Sequence, residues 1–271
     1  FFIAVGLIDQ LSYPIIAISV YLQEYLSTKP AAKKLESLFE QAPAGSERTI
    51  EISQINSVAF RHVCFGYDGA SPILNDFSLK VNAGEKCIIT GQCGSGKSTS
   101  MNLLLGYYEP QSGEILINDS NAFCVKQLNE KIAIMRQDPV LFNDTLRNNL
   151  TMYRDMCDDE LIALLQKLNL HKFATPEGLD SMIREGGSNL SGGERKRIAL
   201  ARTLLRKAPI TIVDEPLANV DSETAEKIED ILTELSGGIV FIITHHFSDD
   251  KKKAFAKEFR FSHNHVEHGG I

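Results

Sequence analysis

Gly91, Gly96, Lys97 and Ser98 stand at the spacing G-x-x-x-x-G-K-S inside the stretch GQCGSGKST, residues 91–99. Three glycines let the backbone turn several N–H groups toward one centre, and one lysine supplies positive charge. That combination suits a polyphosphate. Gly91, Gln92, Cys93, Gly94, Ser95 and Gly96 would wrap it, and Lys97 would reach the β- and γ-phosphates. The Ser98 hydroxyl would bind Mg²⁺, and Thr99 would add a phosphate contact.

Such a loop works only between a strand and a helix. EKCIIT ahead of it is short, apolar and β-branched and reads as a buried strand, while KSTSMNLLLGYY behind it reads as a helix. A second strand, PITIVDEP, ends in Asp214 and Glu215. Carboxylates at the carboxyl end of a parallel strand sit where such sheets bind ligands. Asp214 would hold the magnesium through its water shell, and Glu215 would polarise an attacking water. A third strand, GIVFIITHH, ends in His245 and His246, which would lie at the same sheet edge.

The composition bounds the partners. Lys plus Arg is 28 and Asp plus Glu is 35 among 271 residues, so the net charge is −7, a poor basis for nucleic-acid binding. Five cysteines are scattered with no C-x-x-C pair, which argues against a disulfide framework or a zinc site. The opening FFIAVGLIDQLSYPIIAISVYL is apolar but interrupted by Asp9 and Gln10, so its runs are too short to span a bilayer. It reads either as a core or surface helix or as the cytosolic half of a membrane helix. STKPAAKKLESLFEQAP then reads as a polar linker helix, with Lys29, Lys33 and Lys34 suited to a membrane-proximal position. Pro43, Gly45 and Ser46 mark a boundary.

NLSGGERKRIALARTLL opens a long amphipathic helix with a serine and two glycines, a second anion-binding helix start. Leu190, Ser191, Gly192, Gly193 and Glu194 match the signature L-S-G-G-[QE]. With this motif in place, residues 55 to about 268 resemble the nucleotide-binding domain of an ATP-binding cassette (ABC) transporter. The resemblance implies an α/β fold: a P-loop NTPase (RecA-like) core, an antiparallel β subdomain over about 55–85, and an α-helical subdomain over about 140–205. It implies ATP and Mg²⁺ as ligands. Tyr67 would stack on adenine, although a strand-core tyrosine is the other reading. Gln137 would contact Mg²⁺ and the attacking water, and His245 would contact the γ-phosphate. Asp221 would belong to a loop crossing a dimer interface, where Ala218, Asn219 and Val220 depart from the usual S-A-L. Lys97, Gln137, Glu215 and His245 form the implied catalytic set, and Ser98, Gln137 and Asp214 the metal set.

Residues 1–54 resemble the junction that joins an exporter's last membrane helix to its cassette, and 55–271 the cassette itself. SMIREGG, residues 181–187, partly matches an exporter stretch, with Arg184 in place of a glycine. The expected protein is an exporter ATPase at the cytoplasmic face of a membrane. Two cassettes, identical or related, would sandwich two ATP molecules, with Ser191, Gly192, Gly193 and Glu194 of one chain completing the site of the other. A soluble cassette ATPase acting on nucleic acid is the alternative, and a non-hydrolysing regulator a further one.

Overall fold

Short β-branched runs and glycine-punctuated turns build a mixed α/β architecture. The computed structural model describes residues 50–67, 72–92, 94–262 and 265–269. The expected membrane-proximal segment lies almost wholly outside these residues, as does Cys93. Strands β1 (Ser57–Phe65) and β2 (Leu74–Asn82) form an antiparallel pair. β3 (Lys86–Gly91) leads through the glycine loop into helix α1 (Lys97–Leu104). β4 (Ser112–Ile117) and β5 (Ser120–Asn121) follow, then β6 (Ile132–Met135) and β7 (Asp144–Thr145). Helices α2 (Leu146–Thr151), α3 (Asp158–Lys167) and α4 (Pro176–Leu179) precede β8 (Met182–Ile183) and the long α5 (Gly192–Leu205). The chain continues as β9 (Ile210–Asp214), α6 (Ser222–Glu234), β10 (Ile239–Ile243), α7 (Asp249–Lys252), β11 (Lys257–Ser262) and β12 (His265–Gly269).

The main sheet has the order β12-β11-β3-β10-β9-β6 and is parallel from β11 to β6. Parallel strands covered on both faces need continuous apolar runs, and IVFII of β10 is buried at every position. Side chains alternate across the sheet and feed two cores. Cys87, Ile89, Ile212, Phe241 and Ile243 join the first core with α1 and the antiparallel sheet. Ile88, Val213, Val240 and Ile242 join the second with α3, α5 and α6.

Two expectations need correction. The antiparallel subdomain does not stop near residue 85: its order is β2-β1-β4-β5, because β4 returns to pair with the free edge of β1. The helix after the loop stops at Leu104 and does not include Tyr107 and Tyr108. Gly106 takes φ 74°, a left-handed residue that ends the helix and turns the tyrosines away. The expected helix CDDELIALLQKLNL forms over Asp158–Lys167, with three acids in its first turn.

Candidate functional site

Four neighbouring parallel strands, β3, β10, β9 and β6, deliver their carboxyl ends to one sheet edge. The turn after β3 begins at Gly91, φ 140°, where a Cβ would lie 2.2 Å from the carbonyl oxygen of Phe261 on β11. Only glycine allows that approach. Gly96, φ 99°, caps α1, and a Cβ there would press within 2.9 Å of Leu74. The loop is thereby seated against both sheets. The first-turn amides of α1 have no intrahelical acceptor and point outward with the positive end of the helix dipole.

Lys97 is buried, and its ammonium donates to the carbonyls of Gly91 and Gln92, both at 2.8 Å. Ser95 is buried and its hydroxyl also donates to Gln92 O, at 2.8 Å. These bonds hold the loop closed around its own lysine. The Ser98 hydroxyl donates to Asp214 Oδ2 across 3.2 Å, joining the start of α1 to the end of β9. Burial pushes the Asp214 carboxyl above the usual carboxylate range, and the neighbouring Glu215 charge adds to this. Ser98, Lys97 and Arg136 pull the other way.

Glu215 follows directly, with φ 50° and only 8 % exposure. Its amide donates to Ile243 O at 2.9 Å, which pins the turn to β10. Nε2 of His245 lies 3.2 Å from Glu215 Oε1. The approach lacks hydrogen-bond geometry, so among the described residues this buried oxygen has no hydrogen-bond partner. A buried carboxylate oxygen without a hydrogen bond is costly, and a donor entering the cavity would satisfy it. Thr244 stabilises the turn that presents the histidine, its hydroxyl donating to His246 O at 2.7 Å.

A cavity of about 280 Å³ brings these groups together. Gly94, Gly96, Lys97, Ser98 and Thr99 line one side; Asp214, Glu215, His245 and Gln137 line the other. Tyr67 and Ile73 close the end nearest the antiparallel sheet. The Tyr67 hydroxyl lies 3.4 Å from Thr99 Oγ1, and its ring meets Phe65 and Tyr108 edge-on, each at 5.2 Å between centroids. Tyr67 is thus neither purely core nor purely surface: one edge packs inward while the ring faces the cavity. Tyr108 and Ile73 were not foreseen, since nothing local to them signals a ligand.

Among the described residues, no cluster of three His, Cys, Asp or Glu forms a metal cage. The Ser98–Asp214 pair, with Gln137 on the same cavity, is instead an oxygen donor set of the kind that holds Mg²⁺ jointly with substrate phosphates. The residues therefore fit that ion.

Ser191, Gly192, Gly193 and Glu194 do not line this cavity. They start α5 elsewhere, as a capping box: the Ser191 hydroxyl accepts from Glu194 N–H at 3.2 Å, and Glu194 Oε2 accepts from Ser191 N–H at 2.8 Å. A Cβ at Gly192 would meet nothing closer than 4.0 Å, and one at Gly193 nothing closer than 3.5 Å. Internal packing does not demand these glycines. Asp221 is also away from the cavity; its carboxylate accepts from Thr224 N–H at 3.0 Å and caps α6, which holds it below the ordinary aspartate range.

A family model described as "ABC transporter" matches residues 74–218. The chain is 35 % identical over 226 residues to an ATP-dependent lipid A-core flippase of Syntrophus aciditrophicus, covering 80 % of this chain and 37 % of that protein. It is 34 % identical over 235 residues to the glutathione/L-cysteine transport system ATP-binding/permease protein CydD of Bacillus subtilis, covering 85 % of this chain and 39 % of that one. The chain thus spans well under half the length of these curated relatives. Among solved structures, a bacterial Atm1-family ABC exporter with ATP bound superposes with a TM-score of 0.74 at 30 % identity, covering 91 % of this chain and 45 % of that one.

Proposed function

The chain belongs to the ABC transporter family, and from that premise we propose that it is the ATP-hydrolysing cassette of an exporter, one half of a two-cassette sandwich. The observation that carries this reading is the cavity in which four strand ends converge Lys97, Ser98, Asp214, Glu215, His245 and Gln137. Each has a role that its chemistry permits. The loop amides and Lys97 bind the β- and γ-phosphates. Ser98, Asp214 and Gln137 hold Mg²⁺, which when bound neutralises triphosphate charge. Glu215 orients a water on the γ-phosphate and accepts its proton; the unpaired Oε1 supplies the acceptor. His245, beside that oxygen, donates to the γ-phosphate. Tyr67 offers its ring to adenine.

The open glycine pair at the start of α5 supports the two-chain arrangement. A helix N-terminus without side chains in its path can receive an anion from outside. It does not line the cavity of its own phosphate loop, which leaves the nucleotide of a second cassette as the natural guest. That cassette is a second copy or a related chain. The relative named an ATP-binding/permease protein supports a membrane part working with this cassette, which would act at its cytoplasmic face. Among the described residues no helix is long and apolar enough to cross a membrane. The net charge of −7 counts against the nucleic-acid alternative.

Phosphate release from the purified chain with MgATP tests the reading directly. Glu215→Gln keeps the shape of the side chain but removes the base, so hydrolysis falls by about 10² or more while ATP binding persists. The variant then accumulates as an ATP-dependent dimer on a sizing column. Hydrolysis at the parent's rate removes Glu215 from the mechanism, and an inactive variant that never dimerises removes the sandwich.

A further inference from the structure

Glu194 is the one ionisable side chain in the signature stretch, and both of its oxygens are engaged. Oε2 takes the Ser191 amide, and Oε1 lies 2.5 Å from the ammonium of Lys172. Lys172 sits in the short turn His171–Phe173 after α3, and its ammonium stands 4.6 Å from the centroid of the Phe173 ring. Phe173 is buried in the helical core, so the lysine is anchored at its base although its side chain is 58 % exposed. Glu194 is only 17 % exposed. Burial alone would raise its carboxyl, but hydrogen bonds from Lys172 and Ser191 outweigh this and keep it below the ordinary glutamate range. It is therefore a fixed negative charge.

The charge is awkward where it stands. A capping box needs an acceptor at this position, and a carboxylate and an amide serve equally well for that purpose. Only the carboxylate repels a triphosphate brought to Gly192 and Gly193, and the repulsion grows as the interface closes and water leaves. With the Lys172 ammonium open to solvent, the pair adds little to folding. Their effect is felt where a third charge arrives.

We propose that Lys172 is a positioning residue of the nucleotide site: it neutralises Glu194 and holds the carboxylate in the capping box, so that the signature loop accepts the triphosphate bound by a second cassette. The inference rests on the two-chain reading above. Its measurable consequence is a charge coupling between Lys172 and Glu194 in ATP-driven association.

The test uses the 271-residue chain carrying Glu215→Gln, with MgATP, and measures the dimer dissociation constant by sedimentation. Lys172→Met weakens association about tenfold, an effect expected of an uncompensated interfacial charge. It leaves nucleotide binding to the monomer, followed by a fluorescent ATP analogue, unchanged. Lys172→Arg keeps the charge and associates like its parent. In the E194Q background the same Lys172→Met change has no further effect, because no charge is left to neutralise. A purely structural bridge predicts otherwise: the loss would then persist in the E194Q background and would follow the loss of helix content on melting. Association of K172M equal to its parent, or a loss that E194Q does not erase, overturns the inference alone. A parent that stays monomeric with MgATP at every concentration overturns the two-chain reading and this inference with it.

Discussion

Tyr67 shows how one side chain serves fold and site together. Its edge-on contacts with Phe65 and Tyr108 hold the ring in place, while its hydroxyl rests near Thr99 at the rim of the cavity. Stacking on a base contributes roughly 1 kcal/mol beyond area burial in comparable ring pairs. Tyr67→Phe retains the ring and both edge contacts, so ATP binds to it almost as to the parent. Tyr67→Ala binds several-fold more weakly. Equilibrium titration with a fluorescent ATP analogue separates the two, and an alanine variant that binds like the parent returns Tyr67 to the core. Glu215 is the opposite case, a residue whose position runs against local preference. A left-handed backbone at a non-glycine residue costs about 1 kcal/mol, and the unpaired Oε1 adds to it. The turn is kept because the Glu215 amide bonds to Ile243 and so ties β9 to β10 at the cavity.

Elements meet at places that local patterns do not announce. Lys97, Ser98, Asp214 and Glu215 were legible because each follows a strand at a spacing with a chemical meaning. The strands themselves were legible because buried parallel strands must be continuously apolar. Phe261 beside Gly91 was not legible, since β11 is a polar-looking alternation whose place next to β3 depends on a contact across about 170 residues of chain. Nor was Asn169 legible. Its backbone is left-handed at φ 57°; its side-chain amide donates to Thr224 on α6 at 3.2 Å; its carbonyl accepts from Arg197 on α5 at 3.0 Å. Arg197 also donates to Gly193 O at 3.3 Å, so one loop residue joins the start of the signature helix to the start of α6. Asn169→Gly keeps the backbone and loses the side-chain links to Thr224 and to His171 Nε2, the latter at 2.8 Å. Asn169→Ala loses the same links and keeps a Cβ in the left-handed region without them, so it is the less stable of the two by about 1 kcal/mol. Urea unfolding of both variants measures the difference, and equal stabilities mean that the backbone there relaxes without strain.

At the scale of the molecule, two apolar cores lie back to back across one sheet. β3, β9 and β10 contribute to both, so their amides open only when both cores open. Hydrogen exchange read by mass spectrometry should find these strands slowest, at the limit set by global unfolding. The segment from α3 to α4 packs on one core only and exchanges earlier. Equal protection of that segment and β10 contradicts the division. The cavity opens at the carboxyl ends of the doubly buried strands, so the reacting groups hang from the last part of the molecule to loosen. The signature helix α5 packs in the second core alone. Volume changes there meet the sheet's side chains but not Leu74 and Phe261, which seat the phosphate loop and belong to the first core. A lineage can therefore vary the helical side, one substitution at a time, while the sheet edge that seats the phosphate loop stays unaltered.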